Sequence, residues 1–158
     1  MATRSAIAVM HGNKAKAVYA HWDGYLAHNG YILNKCYDSV KANKLVSMGD
    51  LSSLGADIGE AHEFGRDMTD DMYVDIGGQV SCSKDCTFYI RDRGEENATF
   101  KSFNTYDKFR DHYLNCGAEY FYIMKDGVWY YSTYKDATLK LVSEGLANLA
   151  ESEAEVAY

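Results

Sequence analysis

The sequence predicts a single α+β domain: a twisted antiparallel sheet of about five to seven strands built from hairpins, with helices packed largely on one face. The 158 residues, 47% of them hydrophobic, are enough for one core but too few for two comfortable domains. Strand-like segments come in pairs joined by tight turns, and helical periodicity occurs between and after them. That order differs from the regular strand–helix alternation of a parallel sheet.

The first elements form a predicted hairpin. Residues 5–10 and 15–22 have strand character, and the connection between them contains Gly12 and Asn13, which can adopt the positive φ that tight hairpins need. By alternation, Trp22 faces away from the side chains at positions 19 and 21. We therefore expect Trp22 to be anchored in the core.

Helices and a long loop are predicted next. Asp23 is placed to cap a helix over residues 24–37, and a second helix is expected over residues 39–48. Residues 55–71 are rich in Gly, Asp, Glu and His, with few apolar anchors. This composition predicts a long loop, and long loops in compact domains are often functional.

The second half alternates short strands, helices and one hairpin. Asp126-Gly127 is the strongest short hairpin signal in the chain. An acidic tail, 151–158, is expected to fray beyond a domain formed by residues 1–150. The predicted elements are strands at 72–76, 87–91 and 98–103, a helix from Thr105 to Asn115, a hairpin of 119–125 with 128–133, and a helix at 136–150.

Composition limits the classes of partner. The net charge of −7 argues against a general grip on nucleic-acid backbone, which requires a basic face. The sequence also has no apolar run long enough for a signal peptide or a membrane span. We therefore expect a cytoplasmic protein with reduced cysteines and no membrane contact. The spacing of Cys82 and Cys86, without a second close pair, favours two small buried side chains over a zinc site.

The first candidate site combines Arg4, Tyr19, His21 and Asp23. Tyr19 and His21 share a face of the second strand, and the hairpin brings Arg4 alongside. A histidine between a carboxylate and a guanidinium can do acid–base chemistry, with His21 and Asp23 as the catalytic pair, or can hold an anion. The same residues also fit purely structural roles, with Asp23 as a helix cap.

The second candidate site contains Tyr89, Arg91 and Arg93. The arginines can fork onto a phosphate or carboxylate while Tyr89 stacks beneath a base. They can equally neutralise the neighbouring Asp92 and Glu95 in a surface network that contributes little energy. We also expect His21 and the two arginines to open into a shared pocket.

The remaining sequence carries no recognisable catalytic motif. Phosphate-binding glycine loops, nucleophile elbows and paired carboxylates are missing, so no cofactor is predicted. Four other histidines lack metal-ligand spacing and are expected to face solvent. They are His11, His28, His62 and His112.

Three motifs stand out in the chain: Thr-Arg-Ser from Thr3, His-Trp-Asp-Gly-Tyr from His21 and Arg-Asp-Arg-Gly-Glu from Arg91. In these motifs the chain resembles a family of small uncharacterised bacteriophage and prophage proteins. The resemblance brings no established activity. Leu26 stands where relatives commonly have proline, and Ile90 where they often have histidine. If that histidine is catalytic in relatives, this chain lacks it.

Three functions follow as hypotheses. The preferred one is a phage accessory protein that binds a host protein or a small nucleotide signal in the host cytoplasm, counteracting defence or aiding host takeover. The rival is a small enzyme acting on nucleotides or phosphoesters through His21, Asp23 and Arg91. The third is a minor virion or assembly protein. Homo-oligomerisation is compatible with each of these hypotheses.

Overall fold

The computed structural model describes residues 2–64, 73–77 and 81–156, with side chains described as far as residue 150. They form one eight-stranded sheet and a separate two-stranded one. The strands are β1 (Ser5–His11), β2 (Lys14–Ala20), β3 (Leu51–Ser53), β4 (Tyr73–Asp75), β5 (Ser81–Ser83), β6 (Thr87–Phe88), β7 (Lys101–Phe103), β8 (Tyr120–Lys125), β9 (Val128–Thr133) and β10 (Lys140–Leu141).

Helices cover the large sheet unequally. The chain after β2 begins with one π-helical turn, Leu26–Gly30, that continues directly into an α-helix. The α-helices are α1 (Tyr31–Cys36), α2 (Ser39–Ser47), α3 (Tyr89–Arg93), α4 (Tyr106–Asn115) and α5 (Val142–Val156). Residues of α1, α2 and α5 join one hydrophobic core, whereas α4 supplies the helical residues of a second core. This agrees with the predicted α+β class and with helices largely on one face.

The sheet is mixed rather than purely antiparallel. Its order is β10-β9-β8-β1-β2-β3-β6, and β7 also pairs with β2. The prediction of an antiparallel sheet is wrong at two pairings, because β1 pairs with β8 and β2 with β3 in parallel. Parallel neighbours need a long crossover, and here the π-helical turn, α1 and α2 carry the chain from β2 to β3. Local turn signals reveal hairpins but not such crossovers.

Alternation along β1 and β2 creates the two cores. Ile7 and Val18 face α1 and α2, whereas alanines, Ala8 among them, face α4. The small alanines leave room for the large rings of Phe109 and Tyr113, which are fully or almost fully buried against them. Each face therefore matches the size of the side chains that cover it.

The elements with local signals were predicted correctly. Gly12 has a φ of 64°, and Asp126 and Gly127 have φ values of 53° and 79°, so both hairpins turn as expected. Thr105 caps α4 by accepting a hydrogen bond of 3.2 Å from the Lys108 N–H. In the predicted long loop, residues 55–64 contain no helix or strand longer than a single bridge, and residues 65–71 lie outside the described part.

Four local predictions need correction. The predicted strand 87–91 is strand only at Thr87–Phe88 and then turns into α3. Trp22 is not a core anchor, because 45% of it is exposed. Residues 51–53, which lie between the second predicted helix and the predicted long loop, form β3, a strand that was not predicted. The final helix begins at Val142, after β10, and its backbone continues to Val156 through most of the segment predicted as a tail.

Candidate functional site

Arg4, Tyr19 and His21 lie at one end of the β1–β2 ladder and are called the Arg4 cluster here. Ser5 pairs with Ala20, so residues 4 and 21 stand just beyond the last pair of antiparallel partners. The Tyr19 hydroxyl is 2.8 Å from His21 Nδ1. Arg4, Tyr19 and His21 are all half buried. The predicted proximity of these three residues is therefore present in the structure.

The protons in the Arg4 cluster follow from its electrostatics. Burial lowers the pKa of His21 and the charge of Arg4 lowers it further, so the ring is neutral at neutral pH. Burial raises the pKa of Tyr19, and the charge and hydrogen bonding of Arg4 oppose that rise. In the tautomer in which Tyr19 donates its hydroxyl proton to His21 Nδ1, the imidazole carries its own proton on Nε2. His21 then presents Nε2–H as a donor.

The guanidinium of Arg4 has no partner of opposite charge in the described part of the chain. Among the described residues, no carboxylate forms an ion pair with its guanidinium. The turn after α4 lies against it, since a Cβ built on Gly117 would be 3.2 Å from Arg4 Nη1. A half-buried guanidinium beside a phenol and a neutral imidazole is an arrangement that can receive an anion.

Asp23 does not join the Arg4 cluster. It is exposed, its φ is 56°, and it caps no helix: the π-helical turn begins after Tyr25 without a side-chain cap. The charge of Asp23 acts on Tyr25, whose pKa burial raises first and Asp23 raises further. No hydrogen bond or ion pair joins His21 to Asp23 in the described structure. The arrangement expected for a catalytic pair is therefore not formed.

The loop that carries Trp22 and Asp23 is held from below. Tyr122, fully buried, donates a hydrogen bond of 2.6 Å to the Gly24 carbonyl. Asn29, also fully buried, donates to the Trp22 carbonyl at 3.3 Å. A Cβ on Gly24 would come within 2.7 Å of the Ser5 Cβ. Glycine is therefore required at position 24. In the same loop, the Trp22 ring packs edge-on against the His21 ring, with 4.8 Å between the ring centroids.

Arg91 is committed to the fold. Its Nε and Nη2 donate to Asp92, Nη2 also donates to the Cys86 carbonyl, and Nη1 donates to the Ile58 and Gly59 carbonyls. These bonds use all five guanidinium N–H groups. We call Arg91, Asp92 and these carbonyls the Arg91 network. It pins the 58–62 segment to α3 and leaves Arg91 no free donor for a ligand.

Asp92 is the buried centre of the Arg91 network. Its side chain is fully buried. Burial favours a raised pKa, but hydrogen bonds from Arg91 and from the N–H groups of Phe88 and His62 outweigh it and lower the pKa of Asp92. The bond to the Phe88 N–H reaches back to the first turn of α3, as in a capping box.

Tyr89 and Arg93 lie between the two clusters. Arg93 is half exposed, stacks over the rings of Phe64 and Tyr89 at 5.1 and 5.8 Å, and pairs loosely with Glu95 at 3.8 Å. Of the second predicted site, Tyr89 and Arg93 remain available to a ligand, whereas Arg91 does not.

Sequence reasoning missed three polar residues near the Arg4 cluster. Asp50 accepts the Tyr19 N–H at 2.9 Å, and burial raises the pKa of Asp50. Cys116, exposed, has its Sγ 4.0 Å from His112 Nε2. His112 also stacks edge-on against the buried Tyr113 ring at 4.8 Å. These residues come from distant segments, so no spacing in the sequence links them; the four-residue separation of His112 and Cys116 is the only local signal.

Three of the four histidines expected to face solvent do not. The His62 side chain is only 6% exposed and bonds to Thr87 Oγ1 at 3.0 Å. His112 is half buried between aromatic rings. His28 is also half buried and bonds to Asn29, whereas His11 is exposed as predicted.

Comparison with known proteins gives no relative: the chain matches no protein-family model, no curated protein and no solved structure. Across the described residues, no helix has the length and apolar character that crossing a bilayer requires. The same residues contain no group of three or more His, Cys, Asp or Glu side chains placed to hold a metal ion.

Proposed function

We propose that this chain is a phage-encoded accessory protein that binds a host component in the host cytoplasm, aiding takeover or counteracting defence. The resemblance in the Thr3, His21 and Arg91 motifs supports the phage context. The acidity of the chain and its 14 tyrosines support a role in binding, because tyrosine is prominent at binding hot spots. The bound component is a host protein or a nucleotide.

The Arg4 cluster is the proposed contact, and it takes an anionic group of the bound component. The observation that carries this proposal is the half-buried Arg4 guanidinium without an ion pair among the described residues. A phosphate or carboxylate would accept from Arg4 and from His21 Nε2–H together. Trp22, exposed beside His21, offers a face for a base or a partner side chain.

Binding fits the Arg4 cluster better than catalysis. In the tautomer that accepts the Tyr19 proton at Nδ1, His21 has no free lone pair with which to act as a general base. The rival enzyme also requires Asp23 to orient His21 and Arg91 to hold a phosphate. Asp23 lies beside Tyr25 instead, and every donor of Arg91 is already used.

Native mass spectrometry of the protein purified from infected cells tests this function. The parent protein should carry a stoichiometric host protein or nucleotide. Arg4→Gln should lose that component, because it removes a charge that has no ion-pair partner among the described residues, together with the hydrogen bonding of Arg4 to Tyr19. Lys108→Gln is the matched control, since Lys108 is an exposed cation on α4 and its loss changes the net charge equally.

Three results would overturn the proposal. The first is a parent protein that carries nothing, and the second is a component that Arg4→Gln retains. The third is turnover of a nucleotide by the parent that disappears in His21→Ala, which would favour the enzyme. Recovery of the protein in purified virions, with no host component bound in cells, would favour the assembly role.

A further inference from the structure

A second surface lies on the other side of the sheet from the Arg4 cluster. A groove of about 400 Å³ runs between the π-helical turn, α5 and the strands β8 and β9. We call it the tyrosine groove, after Tyr25, Tyr120 and Tyr131, which line it together with Leu26 and Leu149. Its volume lies within the range of ligand pockets in proteins.

The floor of the tyrosine groove is rigid. Gly145 of α5 is buried, and a Cβ there would come within 2.6 Å of the Tyr131 hydroxyl and 2.8 Å of Leu26 Cδ2. The glycine therefore lets α5 pack directly on the sheet. Beside it, the Tyr120 and Tyr122 rings stack with an interplanar angle of 6°. A preformed floor of this kind lowers the ordering cost of binding.

The rim of the groove is apolar and accessible. Tyr25 is 41% exposed and Leu149 is 38% exposed, although both side chains are large. Tyr25 contacts only the His28 ring among the aromatic pairs of the described residues. Paired aromatic and leucine side chains at the mouth of a groove are typical of a surface that receives an apolar anchor.

Acidic residues lie around the apolar mouth of the tyrosine groove. Asp23 lies close enough to act on Tyr25, and Glu119 acts on Tyr120, where Lys135 is the opposing cation. Glu144 is exposed next to Gly145. Lys140, opposite Tyr131 in the β9–β10 ladder, is a second cation but pairs with Asp136 at 3.5 Å, so the rim carries more acidic than basic charge.

We propose that the tyrosine groove docks a basic segment of a partner protein, in which an apolar side chain is flanked by lysine or arginine. The apolar side chain fills the space between Tyr25 and Leu149, and the flanking cations face Asp23, Glu119 and Glu144. The charge of the rim selects the partner and raises its rate of encounter. This docking site is independent of the Arg4 cluster.

Fluorescence anisotropy with three labelled peptides tests the charge and the anchor separately. The probe is a peptide of about 12 residues with a central Phe-Leu pair between lysines, a length that suits groove recognition. One control replaces the lysines with glutamates and the other replaces Phe-Leu with Ser-Ser. The first peptide should bind at least about tenfold more tightly than either control. Equal binding of all three would overturn the proposal.

Variants locate the binding on the protein. Ala27→Trp fills the groove from an exposed position and should lower the affinity for the Phe-Leu peptide about tenfold or more. Glu144→Lys changes the charge of the rim without filling the groove and should lower the affinity for the Phe-Leu peptide about threefold to tenfold. Leu114→Ser, at a similarly exposed leucine on α4, is the matched control and should change nothing.

Heteronuclear NMR of the parent protein locates the bound peptide without any variant, so the test does not depend on how well a variant folds. In the parent protein, the Phe-Leu peptide should shift the amide signals of Tyr25, Tyr120 and Leu149. Shifts confined to other regions would contradict the docking site. So would a parent protein that dimerises in size-exclusion chromatography and becomes monomeric in Ala27→Trp, because the groove would then bind a second copy of the chain.

Discussion

Arg4 and Arg91 occupy opposite situations in the same molecule. Arg91 uses all five of its N–H groups on Asp92 and on three backbone carbonyls, and its side chain is only 14% exposed. Arg4 is half buried at the end of the sheet, with no ion pair in the described structure and with two ring side chains as neighbours. One arginine holds the fold, whereas the other remains open to a ligand.

The difference shows that charge density in a sequence does not identify a site. Arg91 lies in the more charged segment, next to Asp92 and Arg93, yet the neighbouring loop supplies carbonyls that consume it. Arg4 has no charged neighbour in sequence, and folding brings no carboxylate of the described residues to it. Availability of donors, rather than their number, separates a ligand site from a structural network.

The largest expected effect comes from breaking the Arg91 network. Asp92→Ala should lower the free energy of unfolding by about 3–5 kcal/mol, because it leaves the Arg91 charge and two backbone N–H groups unpaired in the interior. Urea denaturation measures the loss. Glu95→Ala is the matched control, since the Glu95–Arg93 pair is about half exposed, and it should cost less than about 1 kcal/mol. Equal losses in the two variants would contradict the comparison.

Loosening the loop beside the Arg4 cluster should have a smaller effect. Tyr122→Phe removes the hydrogen bond to the Gly24 carbonyl and leaves that carbonyl buried, so we expect a loss of about 1–3 kcal/mol. The chemical shifts of Trp22 should change as well, because its loop loses an anchor. Tyr134→Phe, at an exposed tyrosine, should leave stability unchanged. An unaltered Trp22 signal would show that Tyr122 does not position the loop.

The Arg91 network should also be visible in the acid stability of the protein. The pKa of Asp92 is lowered in the folded state, so the unfolded chain binds more protons between that value and the ordinary 3.8. The stabilisation is complete above about pH 4 and is lost as the pH falls through the folded pKa. Urea midpoints measured from about pH 6 to pH 2 should fall less steeply for Asp92→Asn than for the parent. Parallel curves would mean that other carboxylates dominate.

The smallest expected effect on stability belongs to Arg4. Arg4→Gln should change the free energy of unfolding by less than about 0.5 kcal/mol, since it breaks no ion pair among the described residues. The pKa of His21 should rise, because the variant removes a positive charge that lowers it. NMR titration of the His21 ring measures this rise. A strongly destabilised variant, or an unshifted His21, would place Arg4 among the structural arginines.

Local signals explain which parts of the fold the sequence predicts. The Asp126-Gly127 hairpin and the Thr105 cap depend on neighbouring residues, and both occur as expected. Residues 89–93 form a helix instead of the predicted strand, because Asp92 accepts a hydrogen bond from the His62 N–H, which belongs to a different segment. Strand β3 forms because Leu51 can pair with β2 after two helices. Such tertiary pairings override local propensity.

The candidate site divides in the same way. Strand alternation is sufficient to place Tyr19 and His21 on one face. Asp50 and His112 come from a loop and a helix that alternation along β2 cannot reach. The prediction that Trp22 is buried was wrong for a related reason. Strand β2 ends at Ala20, so the alternation that would bury residue 22 no longer applies.

Gly24 gives the loop at residues 21–25 an uneven capacity to vary. Its position admits no side chain, because Ser5 and the Thr3 carbonyl occupy the space. Trp22, Asp23 and Tyr25 on either side are exposed and contribute little to packing. Diversifying these three positions while retaining the glycine would change the surface beside the proposed contact and leave the buried packing intact, so this loop is a natural starting point for redirecting the proposed binding.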